Sequence, residues 1–243
     1  MTRHIACIFA HPDDETFCVG GTLAKYAADG VDISLFCATN GDAGKSAAVP
    51  VSSREELAAL RKQETMAAAS ILGIGAVEFG GYGDGTLGDI EPTPLIGDIV
   101  RFIRRRRPTI ILGFGPEGAP TGHRDHRAMS HATMAAFFLS GIASAHREKD
   151  DAGDEPFRAD RLFFHSWDFP LADPRLRVEP VAPTAGIDVR AFRDRKREAF
   201  LAHRTQQLSL PAFESVQADF EHLAFAIGIP QPAAMIDDLF AGL

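Results

Sequence analysis

The chain has 243 residues, 45% of them apolar and 24% charged, a composition that suits a folded globular protein long enough to bury a core. With 25 Lys and Arg against 33 Asp and Glu, its net charge of -8 argues against a non-specific nucleic-acid binder. No apolar run is long enough to span a bilayer, and residues 5–10 are too short an apolar core for a signal peptide. Cys7, Cys18 and Cys37 show no Cys-x-x-Cys spacing and read as buried free thiols in a reducing, cytoplasmic setting.

Residues 5–10 form a short run rich in Ile and Phe without helical spacing, the pattern of a strand buried on both faces. It stops at His11-Pro12-Asp13-Asp14-Glu15, where Pro12 ends the strand and the acids suit the first turn of a helix over about 16–29. Gly30 stops that helix, and a second strand over 31–38 runs into a polar loop at 39–44. Gly20-Gly21 does not make a dinucleotide loop: Gly-x-Gly-x-x-Gly is missing, and acids stand where a pyrophosphate needs amides. A helix over 53–72 has Ser52 or Ser53 as its N-cap, Glu55 and Glu56 in its first turn, and Gly73 at its stop.

A short strand at 77–79 leads into Gly80-Gly81-Tyr82-Gly83-Asp84-Gly85, whose glycines let backbone approach a ligand closely. The helix over 94–107 ends in four arginines and Pro108; the cations complement the helix dipole, and a phosphate patch is the less favoured reading. A second buried strand at 109–114 is followed by a Gly/Pro-rich loop, then His123-Arg124-Asp125-His126 and a helix over 125–140. His131 falls off the face of His126 and reads as structural. Beyond lie a charged loop at 146–159, a strand at 161–166 with a packed His165, and Trp167, Phe169 and Pro170 as a pocket wall or subunit contact. An edge strand at 187–189, a helix at 190–203 and amphipathic helices at 211–227 and 233–241 complete the chain. Strands alternating with helices predict an α/β, Rossmann-like three-layer fold with a mostly parallel central sheet. We expect one domain over 1–243, with the helices from about 190 to 243 covering it or forming a subunit interface in a homo-oligomer.

The acids at 13–15 need explaining, because adjacent carboxylates repel unless something positive sits among them. A plain alternative is a helix cap, with His11 hydrogen-bonded in the turn. A divalent metal explains more: imidazole plus carboxylate with an open position is the composition of catalytic zinc sites. The cluster at 123–126 stands at the equivalent point past another buried strand, where α/β sheets bind ligands. Arg54 and Arg61 are candidates on the second helix, and Asp84 either accepts from a ligand's hydroxyls or serves its turn.

The His11-Pro12-Asp13-Asp14-Glu15 turn with the later His123-x-Asp125-His126 loop resembles the LmbE-like, or PIG-L, family of zinc-dependent N-deacetylases. Residues 61–64 and the Ala-rich stretch up to Leu72-Gly73-Ile74 are similar to the family's Arg-bearing second helix. Residues 81–85 are similar to its substrate loop, and His203-Arg204-Thr205-Gln206 to its C-terminal His-x-Ser/Thr-Gln. The likeness covers most of 4–207, with Arg124 where members often carry Pro. It implies Zn2+, with Fe2+ able to substitute, held by His11, Asp14 and His126. It implies Asp13 as general base, and His123, oriented by Asp125, to stabilise the oxyanion or protonate the leaving amine. Arg61 and Asp84 become substrate contacts, while Glu15 reads as a structural acid and the role of His203, a candidate to close the pocket, stays open. The implied substrate is a small N-acetylglucosamine-type conjugate that loses its acetyl group. Two readings stand beside it: a zinc amidase acting on a larger conjugate, and a non-catalytic, metal-free binding module.

Overall fold

A computed structural model describes residues 3–46, 49–146, 155–168 and 178–243. The middle one of its five parallel strands, β1 (His4–Phe9), is buried at every position after His4, as an apolar run without alternation requires. On one side β1 pairs in parallel with β2 (Asp32–Thr39), and β2 with β3 (Ala76–Tyr82). On the other side it pairs in parallel with β4 (Ile110–Gly113), and β4 with β5 (Arg161–Ser166). Two antiparallel strands, β7 (Phe220–Gly228) and the edge strand β6 (Ala185–Asp188), extend the sheet to the order β3-β2-β1-β4-β5-β7-β6. Helices α1 (Asp14–Ala28), α2 (Arg54–Leu72) and α5 (Arg193–Ala202) pack on one another, and α3 (Pro92–Arg106) packs on α4 (Arg124–Leu139). The result is the expected three-layer α/β fold with a mostly parallel sheet.

Local signals place most of these elements. Ser53 caps α2 by accepting from the Glu56 amide at 3.1 Å. Gly73 ends it with φ +81, and a Cβ there would stand 2.6 Å from Ala27 on α1, so close helix packing and the left-handed turn both require glycine. The arginines at the end of α3 find partners within the chain. Arg104 is buried and donates to the carbonyls of Ser140 and Ile142 past the end of α4, while Arg105 and Arg106 pair with Glu78. They are structural groups and make no phosphate patch.

Three expectations are corrected. The strand expected at 77–79 continues through Gly80 and Gly81 to Tyr82, because pairing with β2 persists across an irregularity at Cys37 and Thr39. The helix expected at 211–227 is a short helix, α6 (Leu210–Ser215), followed by β7. Phe213, Val216, Phe220 and Leu223 fit helical spacing, but β5 is buried and its free edge needs hydrogen bonds, which β7 supplies. Residues 233–241 are turns around a bridge between Ala185 and Ile236, not a helix. The reason for expecting self-association through C-terminal helices falls with them. Phe169, Pro170 and most of the loop at 146–159 lie outside the described residues. No helix among the described residues is long and apolar enough to cross a membrane.

β7 is tied to α1 and α5 by a buried ion pair. Lys196 Nζ lies 2.7 Å from Glu221 Oε1, and the same carboxylate accepts from the amides of Gly21 and Thr22 at 2.9 and 2.7 Å. Removing the cation leaves a buried charge facing only two amides. Lys196→Met is therefore expected to cost about 3 kcal/mol in urea unfolding. Arg193→Ala, which breaks the exposed pair with Asp219, should cost less than about 1 kcal/mol. Equal effects would contradict this assignment.

Candidate metal centre

β1 and β4 are neighbours in register, Cys7 beside Leu112, so the turns beyond their carboxyl ends meet. The first turn folds on itself: the His11 amide donates to Asp14 Oδ2 at 2.7 Å, and α1 begins at Asp14. The second arrives by a loop whose Gly118 carbonyl accepts from His126 Nδ1 at 3.2 Å. Phe114 stacks on the His126 ring at 3.9 Å and fixes its plane.

Three donors then converge. His11 Nδ1 lies 3.2 Å from His126 Nε2, and the Asp14 carboxylate lies 3.4 Å from the first and 3.3 Å from the second. The far nitrogen of each ring is already committed: Nδ1 of His126 to a carbonyl, and Nε2 of His11 to Asp84 at 3.1 Å and Asp125 at 3.2 Å. In their neutral forms the two rings therefore aim lone pairs at each other beside a carboxylate, an arrangement that a bound cation or a shared proton relieves. The separations suit a cation: zinc bonds of about 2.0–2.2 Å in tetrahedral geometry give donor–donor edges of about 3.3–3.6 Å. Electrostatics agree. Burial opposes charge on His11, yet the carboxylates of Asp125, Asp14 and Asp84 push its pKa well above the ordinary value. Burial likewise opposes ionisation of Asp14, but His126 and His11 hold it well below the usual carboxylate range.

Two other donor sets come together, His11 with His123 and His126, and His11 with Asp84 and Asp125. The second uses the Nε2 face of His11, where hydrogen bonds already account for the contacts. Cys18, a buried thiol one turn beyond Asp14, belongs to neither set.

Asp13 stands beside the triangle in a left-handed conformation, φ 109, and makes no side-chain capping bond although it is the N-cap of α1. Burial pushes its carboxyl up to about 6, against the pull of Arg61. His123 caps α4: its Nδ1 accepts from the Asp125 amide at 3.2 Å, so its proton sits on Nε2. Burial and the neighbouring His11 and His126 lower its pKa, so the ring is neutral.

Three expected roles change. Asp125 holds His123 through its backbone amide and not its carboxylate, which is buried and accepts from His11 Nε2 and from the amides of Gly85 and Leu87 at 2.7 and 3.0 Å. It fixes the His11 ring and pins the glycine-rich loop to it. Arg61 is only 3% exposed, so its guanidinium is not a free sugar contact. It donates to the Gly41 and Pro12 carbonyls and to Asp13 Oδ2 at 3.2 Å, bracing the first turn. Asp84 meets His11 with one oxygen and the Ala43 amide with the other, at 3.3 Å. It supports the centre from the loop expected to hold sugar.

Glu15 and His203, whose roles the motifs left open, bond each other at 3.0 Å in the interior, and Glu64 holds the Thr205 amide and hydroxyl at 3.0 and 2.6 Å. Their place in the motifs was a signal; their partners were not readable from spacing. Beyond β5 a cavity of about 50 Å³ is lined by Cys18, His165, Trp167 and Lys196, so His165 and Trp167 face a small void beside the centre.

A model of the GlcNAc-PI de-N-acetylase (PIG-L) family matches residues 6–137. The chain is 31% identical to a 1D-myo-inositol 2-acetamido-2-deoxy-alpha-D-glucopyranoside deacetylase of Rhodococcus jostii (strain RHA1), over 86% of this chain and 84% of that one. In fold it is similar to the N,N'-diacetylchitobiose deacetylase of Pyrococcus horikoshii (TM-score 0.75, 20% identity, 92% and 84% of the chains). It is also similar to GalB, a 4-carboxy-2-hydroxymuconate hydratase of Pseudomonas putida (TM-score 0.72, 20% identity, 94% and 98%). One fold thus carries two chemistries, and architecture alone does not choose between them. The family match over more than half of the sequence, joined to a relative aligned over 84% of its own length, makes this chain a member of the PIG-L (LmbE-like) family.

Proposed function

We propose that the chain is a zinc-dependent N-deacetylase acting on a small N-acetylglucosamine-type conjugate. The observation that carries this reading is the convergence of His11 Nδ1, His126 Nε2 and the Asp14 carboxylate at 3.2–3.4 Å, with the uncapped Asp13 beside them. The Rhodococcus relative, named for an acetamido sugar, supports the choice of substrate class.

His11, Asp14 and His126 would hold Zn2+, or Fe2+ in its place. Bound there, the ion would bring the pKa of its water down to about 7 and would polarise the acetyl carbonyl. The chain's own groups do the rest. Asp13 takes the proton of the attacking water, and Arg61 keeps its carboxylate aimed at that water. With its proton on Nε2, neutral His123 donates a hydrogen bond to the carbonyl oxygen as charge builds there. A neutral imidazole is a poor acid, so of the two roles expected for His123 the first is favoured. Asp13, whose carboxyl is pushed up to about 6, then passes its proton to the leaving amine. Acetate and the free amino sugar result. The chain would work as one catalytic domain, and its three buried free thiols suit a reducing cytoplasm.

Incubating the zinc-loaded protein with an N-acetylglucosaminyl inositol should release acetate and amine in equal amounts. Turnover only of amides with larger acyl groups would move the reading to the amidase alternative. Asp13→Asn should keep one equivalent of zinc and lose about 100- to 10,000-fold in kcat; unchanged turnover would remove Asp13 from the base role. Asp125→Asn should weaken zinc binding about 10- to 100-fold, read by competition with a chromophoric chelator. His123→Gln should leave zinc affinity unchanged within about threefold while lowering kcat about 100-fold or more. Loss of zinc from the His123 variant alone would reverse these two assignments.

A further inference from the structure

The family match ends at residue 137, yet residues far beyond it reach the turn that carries Asp13. Asp13 is the N-cap of α1 but behaves unlike one. An ordinary N-cap is extended and folds its side chain back onto the helix amides. Asp13 has φ 109 and ψ -23, and its side chain makes no such bond. The left-handed backbone turns the carboxylate away from α1 and leaves it available. No glycine provides this conformation, so something else must maintain it.

Two groups hold it. Arg61 grips the turn from outside, through the Pro12 carbonyl and Asp13 Oδ2. Glu15 grips it from inside: its Oε2 accepts from the Asp13 amide at 3.1 Å. Glu15 is itself fixed. Its Oε1 accepts from Thr16 Oγ1 at 2.7 Å and from His203 Nε2 at 3.0 Å, and both Glu15 and His203 are 0% exposed. Neither can touch a substrate. His203 is delivered by a segment anchored two residues later, where Glu64 takes the Thr205 amide and hydroxyl. Glu64 and Arg61 lie three residues apart on α2, so one helix face braces the turn directly and also braces the segment that brings His203.

We propose that Glu15 and His203 are positioning residues that hold Asp13 in its left-handed, uncapped state, so that the C-terminal third of the chain completes the site. This rests on the reading of Asp13 as the proton acceptor. Without the His203 hydrogen bond, Glu15 is free to turn, the Asp13 amide loses its acceptor, and the residue relaxes toward an ordinary cap with its carboxylate on the α1 amides.

The test compares zinc-loaded wild type, His203→Met and His203→Gln, in which glutamine can present a donor near the position of Nε2. For each, kcat and KM on an N-acetylglucosaminide, zinc content, and deuterium exchange of the peptide covering 11–17 are measured. His203→Met should keep one zinc and a KM within twofold, lose 10- to 100-fold in kcat, and exchange the Asp13 amide at least tenfold faster. His203→Gln should recover most of the kcat and the protection. Unchanged kcat in His203→Met, or a loss of kcat without faster exchange at this turn, would overturn the proposal. If His203→Met does not fold, Glu15→Gln decides. It keeps the volume but can accept from the Asp13 amide or from His203, not both, so faster exchange and lower kcat are again expected, and wild-type values would refute the clamp. Wild type that cleaves no amide would instead refute the deacetylase reading, while the exchange data would still judge the clamp.

Discussion

Two imidazoles and a carboxylate face one another across a gap that cannot stay without positive charge. His11 and Asp14 come from the end of β1, and His126 from the end of β4, 115 residues from His11. Parallel pairing of those strands brings the turns together, and hydrogen bonds on the far side of each ring decide which nitrogens point inward. Remove the Gly118 carbonyl from His126, or Asp125 and Asp84 from His11, and the rings are free to change tautomer and turn away. The donor triangle is thus a property of the sheet as a whole.

Around it the fold devotes an unusual share of buried polar groups to one short turn. Arg61, Glu64, Glu15, His203 and Asp125 are all almost completely inside and each has a hydrogen-bond partner, although Arg61 Nε and His203 Nδ1 have none. Buried polar groups are costly unless satisfied, and their concentration at one place marks where geometry must be exact to fractions of an ångström. Asp13 gains most from it: a carboxylate in strained backbone, relieved of capping duty, and pushed toward neutrality by burial.

How much of this could be read from the residues varies with distance along the chain. The buried strands at β1 and β4 were legible because apolar runs ending in His and Asp carry their own signal, and so were the caps at Ser53 and Gly73. The triangle itself could be anticipated because both motifs sit past strand ends. Which acid serves which histidine could not. Asp125 is two residues from His123 and invites that pairing, yet in the fold its carboxylate reaches His11. Arg61 sits on a helix where arginines are usually solvated, and only packing against the first turn reveals it as a brace. β7 was hidden for a similar reason: Phe213 to Leu223 fits helical spacing, and the demand of the β5 edge for hydrogen bonds is not written in that segment.

Everything above depends on one cation among three side chains. Crystals of the protein purified without chelator and supplied with zinc, measured at the zinc absorption edge, would test it most directly. We predict one anomalous peak within bonding distance of His11 Nδ1, the Asp14 carboxylate and His126 Nε2. The absence of a peak there, or an ion bound by His123 in place of Asp14, would contradict the account.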